Sequence, residues 1–138
     1  MHSLILMVID DNLEDREQFV EAVFEIDPAI QCFTAPDICS ALKMLDEPKA
    51  FVPDIIFLDL LLPGFSGKNF LTEIQTHSKL KNIPVVVCSN ISLSPMIEDC
   101  KRLGAAHFMR KPSHFNDLKK AIASALDQYA GEFSVGKF

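Results

Sequence analysis

Six apolar residues in a row, Leu4 to Ile9, stop abruptly at the acidic pair Asp10-Asp11. A continuous run predicts a strand covered on both faces, because a half-exposed strand would alternate. The next block has another period. Phe19, Val23 and Ile26 recur at helical spacing, with Val20 and Phe24 beside them, and predict a helix over about residues 13–25 that presents them all on one apolar face. Asn12 or Asp11 is placed to cap it, Glu14 and Asp15 favour its first turn, and Asp27-Pro28 stops it.

The same alternation repeats to the end of the chain. Residues 30–35 form a weaker strand, and Ile38, Ala41, Leu42 and Leu45 mark a short helix. Pro48 and Pro53 bracket the connection to a third strand over residues 55–58. Pro63-Gly64-Phe65-Ser66-Gly67 makes a loop before a helix carrying Phe70, Leu71 and Ile74. Val85-Val86-Val87-Cys88 is a fourth buried strand, left through the polar loop Ser89-Asn90-Ile91-Ser92. Ser94 with Pro95 reads as cap and first position of a helix that ends near Leu103-Gly104. His107-Phe108-Met109 is a short fifth strand ending at Lys111-Pro112, and Leu118, Ala121, Ile122, Ala125, Leu126 and Tyr129 trace the last helix. Five strands alternating with five helices predict an α/β fold with a doubly wound parallel sheet, without internal repeat or second domain.

Composition narrows the function classes. The chain has 138 residues, one domain by size, and 49% apolar residues exclude a disordered segment. A formal net charge of −6 argues against nucleic acid, whose binding needs clustered Lys and Arg, and against an anionic membrane surface. The four cysteines, Cys32, Cys39, Cys88 and Cys100, lack metal-ligand or C-x-x-C spacing and read as small buried apolar side chains in a reducing compartment. The first apolar run is too short for a signal peptide and has no basic flank, and no run approaches the roughly 18 residues of a membrane span. A cytoplasmic protein is expected.

The chemistry lies where the strands end. In doubly wound sheets, ligands sit outside the carboxyl ends of the strands. Those ends deliver Asp10 and Asp11, then Asp59, then Ser89, then Lys111. Asp59 follows the apolar stretch Ile55-Ile56-Phe57-Leu58, where an unpartnered buried charge would be costly. Three carboxylates about 5 Å apart repel by roughly 3 kcal/mol per pair at an effective dielectric near 20, so a cation has to offset them. An oxygen-only set suits Mg²⁺, which retains waters and accepts a phosphoryl oxygen. Lys111 adds a counter-charge and Ser89 a hydrogen-bond donor for the same anion. The pattern points to phosphoryl transfer without a nucleotide cradle, since G-x-x-x-x-G-K-[ST] and G-x-G-x-x-G are both absent. None of His2, His77, His107 and His114 lies at an active-edge strand end, which removes serine and cysteine hydrolases.

With these residues in order, the sequence resembles the receiver domain of two-component response regulators, of the single-domain chemotaxis-regulator type. The resemblance covers about residues 3–130 and leaves 131–138 as a short tail without an output domain. It is carried by Asp10-Asp11, by Asp59 with Pro63 and Gly67 behind it, by Ser89, and by Lys111-Pro112. It implies a flavodoxin-like sheet in the strand order 2-1-3-4-5 with five helices. It implies Asp59 as phosphoacceptor from the phosphohistidine of a sensor histidine kinase or phosphotransferase. It also implies Mg²⁺ (or Mn²⁺) on Asp10, Asp11, Asp59 and the backbone carbonyl of Leu61, with Asp10 mostly acting through water. Ser89 becomes the switch hydroxyl, Lys111 the partner of the phosphoryl group, Phe108 the switch aromatic, and Lys111-Pro112 a cis peptide. Phosphorylation would draw Ser89 inward and alter the surface of the fourth helix, fifth strand and fifth helix, read by an unknown downstream protein, with the chain a monomer or weak homodimer.

Several positions depart from the common pattern. Ser stands for Thr at 89, Asn90 follows where many receivers carry a small residue, and Phe108 lacks the hydroxyl of a Tyr. Leu61 has no polar group to align an attacking water, so slow self-dephosphorylation is expected, with Asn90 also modulating the lifetime. Each residue alone has an ordinary reading: Asp10 and Asp11 as helix caps, Lys111 as a solvated lysine, Ser89 as a loop residue, Phe108 as core. Two other functions compete. One is a degenerate receiver that serves as a phosphorylation-independent interaction module. The other is a small Mg²⁺-dependent phosphatase, disfavoured because a dehalogenase-type site needs a second aspartate where Leu61 stands.

Overall fold

The computed structural model describes residues 4–47, 52–60, 67–77, 80–90 and 94–135. Leu61, the turn at Pro63-Gly64 and the loop residues 91–93 lie outside them. The elements run β1 (Ile5–Ile9), α1 (Leu13–Ile26), β2 (Gln31–Ala35), α2 (Ile38–Asp46), β3 (Ile55–Asp59), α3 (Gly67–Thr76), β4 (Val85–Ser89), α4 (Ser94–Arg102), β5 (His107–Arg110) and α5 (Phe115–Val135). Helix α5 continues past Tyr129 to Val135, into the stretch expected to be tail.

Among the described residues, five parallel strands form one sheet in the order β2-β1-β3-β4-β5. Successive side chains on a strand point to opposite faces, and the core divides accordingly. Leu6, Val8, Ile55, Phe57, Val86, Cys88 and Met109 pack under α1 and α5, through Phe19, Ala22, Val23, Leu118, Ile122 and Leu126. Met7, Ile9, Ile56, Leu58, Val85 and Val87 pack on the other side, under Ile38 and Leu45 of α2, Leu71 and Ile74 of α3, and Cys100 of α4. Covering on both faces is why β1, β3 and β4 read as unbroken apolar runs.

Local signals set the helix ends. Asn12 caps α1 by accepting a hydrogen bond from the Asp15 amide at 2.9 Å, and the Asp27 amide closes the last turn on the Val23 carbonyl at 2.9 Å. Gly104 follows α4 with φ of 100°, which glycine adopts without strain; a Cβ there would also meet Nε2 of Gln75 at 2.7 Å.

Burial divides the α1 stripe, and one expectation, that the cysteines are all buried, is corrected. Only part of the α1 stripe is core: Phe19 and Val23 are buried, while Phe24 is 63% exposed and Val20 and Leu13 also face outward. A step of 100° per residue carries Val20 and Phe24 off the sheet-facing side. The cysteines are not uniformly buried either. Cys88 and Cys100 are buried, Cys32 is half-buried and Cys39 is exposed, because Ile38, Ala41 and Leu45 form the inner face of α2. None of the described helices is long and apolar enough to cross a membrane.

Candidate functional site

Strand register assembles the site. Ile9 of β1 is paired with Leu58 of β3, so Asp10 and Asp59 come next on neighbouring strands at the point where the strand order reverses. The Asp10 amide still donates to the Ala35 carbonyl at 3.1 Å, which holds its backbone in the sheet. Asp59 is paired with Cys88, and Ser89 with Arg110, which brings Lys111 to the same edge. The Lys111 amide donates to the Ser89 carbonyl at 2.8 Å and so extends the β4–β5 ladder by one residue.

Alternation then sorts the side chains. Asp10, Asp59 and Lys111 share the parity of Val8, Phe57 and Met109 and stand on the α1/α5 face. Ser89 and Phe108 share the parity of Val87 and stand on the face of α2 to α4. Phe108 is half-buried against that second layer, as are Met96 and Leu103 around α4.

The Lys111 ammonium is the electrostatic hub. Its Nζ lies 2.6 Å from Oδ2 of Asp10, 3.3 Å from Oδ2 of Asp15 and 3.8 Å from Oδ2 of Asp59. Burial alone would lower its pKa. The hydrogen bond to Asp10 and the charges of Asp10, Asp59 and Asp15 outweigh that and raise it above the ordinary lysine value. Asp10, only 4% exposed, also accepts from the Asn12 amide through Oδ1 at 3.0 Å, while its carbonyl accepts from Nη1 of Arg16 at 2.8 Å. Both oxygens of this buried carboxylate therefore have partners, which offsets the cost of burying it. Beneath Asp59, burial pushes the Cys88 thiol up to about 12, with Lys111 pulling the other way, so Cys88 stays protonated and unreactive.

The donor set fits a hard divalent cation. One carboxylate oxygen from each of Asp10, Asp11 and Asp59 can be chosen with all three within 4.8 Å of one another, and Asp11 is exposed to solvent. With oxygen donors only and an open side, the cluster matches the preference of Mg²⁺ or Mn²⁺.

The structure thus brings together Asp10, Asp11, Asp59 and Lys111, and places Ser89 at the same edge on the opposite face. Asn90 is exposed and lines an open cavity of about 490 Å³ with Arg110, Lys111 and His114. Leu61 lies outside the described residues. The expected cis peptide at Lys111-Pro112 is corrected: the bond is trans. An Xaa-Pro bond prefers trans by about 0.5–1 kcal/mol, and the amide bond to Ser89 with the Asp10 ion pair already positions Lys111. Sequence reasoning missed Asp15 and Arg16 as site residues. Position was the one hint: three and four residues past the Asn12 cap, side chains lean back toward the helix N-terminus and hence toward the strand ends.

Comparison with known proteins agrees with this geometry. Residues 6–123 match the family model of the response regulator receiver domain. The chain is 37% identical over 124 residues to protein-glutamate methylesterase/protein-glutamine glutaminase 1 of Cereibacter sphaeroides, covering 86% of this chain and 31% of that protein. The phosphorylated cyanobacterial phytochrome response regulator RcpA superposes with a TM-score of 0.83 at 26% identity, over 91% of this chain and 93% of that one. The Mn²⁺-bound form of response regulator Rcp1 shares the fold, with a TM-score of 0.79 at 22% identity, over 91% of this chain and 94% of that one. A doubly wound sheet with an acidic cluster and a lysine at its switch point defines the class, and the chain belongs to the response regulator receiver domain family.

Proposed function

We propose that the chain acts as a stand-alone receiver, phosphorylated on Asp59 by a sensor histidine kinase or a histidine phosphotransferase in the cytoplasm. The observation that carries this reading is the Lys111 ammonium held 2.6 Å from Asp10 and 3.8 Å from Asp59, beside a three-carboxylate cluster open to solvent. In-line transfer asks a protein for positioning and charge neutralisation. The Asp59 carboxylate attacks phosphorus, the P–N bond of the donor phosphohistidine breaks, and the imidazole leaves with the electron pair. Lys111 offers its ammonium to the incoming phosphoryl oxygens, and the Ser89 hydroxyl approaches them from the other face of the sheet. Asp10, Asp11, Asp59 and the Leu61 carbonyl would hold Mg²⁺ or Mn²⁺, which supplies Lewis-acid neutralisation of the phosphoryl oxygens.

The product is an acyl phosphate, and Leu61 and Asn90 set its lifetime. The nearly two added charges at Asp59 draw Ser89 inward. Phe108, half-buried on the same face as Ser89, repacks into the space left, which alters the α4-β5-α5 surface offered to a downstream protein or to a second copy in a weak homodimer. On this reading the chain is a phosphoacceptor and not a multiple-turnover enzyme. The methylesterase relative is about three times longer than the matched region, and its activity belongs to that longer protein.

Incubation with radiolabelled acetyl phosphate and Mg²⁺ tests the assignment. One phosphoryl group per chain, persisting beyond seconds and lost in Asp59→Asn, is expected. Absence of label would instead favour a phosphorylation-independent interaction module. Repeated turnover of a phosphomonoester would identify a phosphatase.

A further inference from the structure

Lys111 is shared among three carboxylates, and one of them lies outside the acidic set that the proposed chemistry uses. Its Nζ is within hydrogen-bond range of Asp10, at 2.6 Å, and of Asp15, at 3.3 Å, while Asp59 at 3.8 Å is beyond it. An ammonium has three donors, so two of them are committed away from the phosphoacceptor. Asp10 is next to Asp59 in the sheet and cannot draw Lys111 far from it. Asp15 sits on the first turn of α1, outside the sheet, and is anchored there: its amide is bonded to the Asn12 cap at 2.9 Å.

We propose that Asp15 is a positioning residue that restrains Lys111 on the α1 side of the resting site, so that capture of a phosphoryl group at Asp59 has to break the Lys111–Asp15 pair. The inference rests on the phosphoacceptor reading of Asp59. Asp15 is 42% exposed, so the pair is a partly screened one, and its release changes an equilibrium by roughly two- to fivefold. The restraint lowers affinity for the phosphoryl anion and leaves Asp10 to hold the lysine near the site.

Beryllofluoride, an anion that mimics a phosphoryl group on a carboxylate, provides the measurement. Its binding to the full chain at saturating Mg²⁺ can be followed by amide shifts in NMR. Asp15→Asn is expected to tighten binding two- to fivefold, and Asp15→Glu, which keeps the pair, to remain near the wild type. Glu14→Gln removes the same charge from the exposed side of the same turn and should change binding by much less. In a Lys111→Ala background, the effect of Asp15→Asn should vanish, because the restraint acts through the lysine. Unchanged or weaker binding in Asp15→Asn, an equal effect from Glu14→Gln, or persistence of the effect without Lys111 would each overturn the proposal while the receiver reading stands. If the wild type neither binds beryllofluoride nor accepts phosphoryl from acetyl phosphate, the receiver reading falls, and this inference with it. Thermal melts of each variant separate these outcomes from loss of fold.

Discussion

Asp59 ends a strand that is otherwise apolar, and its neighbours make it costly in the resting protein. Asp10, Asp11 and Asp59 offer oxygens within 4.8 Å of one another, and the nearest ammonium is already bonded to Asp10. Removing one charge therefore relieves repulsion more than it loses attraction. Asp59→Asn is expected to stabilise the metal-free protein by about 1–2 kcal/mol in chemical denaturation. The gain should shrink in millimolar Mg²⁺, where the wild type gains a ligand and the variant has one donor fewer. A variant equal in stability to the wild type without metal would show that the carboxylates are already neutralised. Asp10, Asp59 and Lys111 were legible in the sequence because each is a charge at the end of an apolar run. Asp15 was not, since an acid in the first turn of a helix has an ordinary role against the helix dipole. The isomer of Lys111-Pro112 was equally hidden: the two forms differ by less than the surrounding hydrogen bonds decide.

Helix α1 shows what periodicity can and cannot resolve at the scale of an element. Phe19, Val20, Val23 and Phe24 all lie on one broad apolar arc, yet only Phe19 and Val23 meet the sheet. Phe19 stands edge-on to Phe57 of β3, with ring centroids 5.0 Å apart. The sequence marks the arc but not which edge of it α5 and the sheet will cover. Phe19→Ala is expected to cost about 3–5 kcal/mol, as a large core truncation does. Phe24→Ala should stay within about 0.5 kcal/mol. Equal costs in urea titrations would mean that the outer stripe is covered in solution. Strand and helix boundaries were otherwise readable to within a few residues, because caps and prolines flank them; α5 ran furthest past its predicted end, where the apolar repeat fades before the helix does.

Across the whole molecule, alternation of strands and helices predicts a parallel sheet, but the order of its strands follows only from the family resemblance; the structure and the receiver match agree on it. That order places β5 at an edge, with His107 half-buried and edge-on to Tyr129 of α5, ring centroids 6.4 Å apart. Burial lowers the His107 pKa from 6.5. As pH falls through that value, the unfolded chain takes up the proton first, so it binds more protons than the folded one and stability declines. The decline ends once pH has passed below the folded value. The melting midpoint should therefore drop between pH 7.5 and 5.5, and His107→Gln should flatten part of that slope. An unchanged slope would assign the acid sensitivity to other groups.

The unequal burial of the cysteines equips the native chain with its own clock of local opening. A thiol reagent should modify exposed Cys39 at once, whereas Cys88, buried and held protonated next to Asp59, reacts only when the α1/α5 layer lifts from the sheet. In a Cys39→Ser background, the rate at which Cys88 is alkylated reports how often the helix layer beside Asp59 opens. Ligands that tighten the site should slow that rate in proportion to their binding.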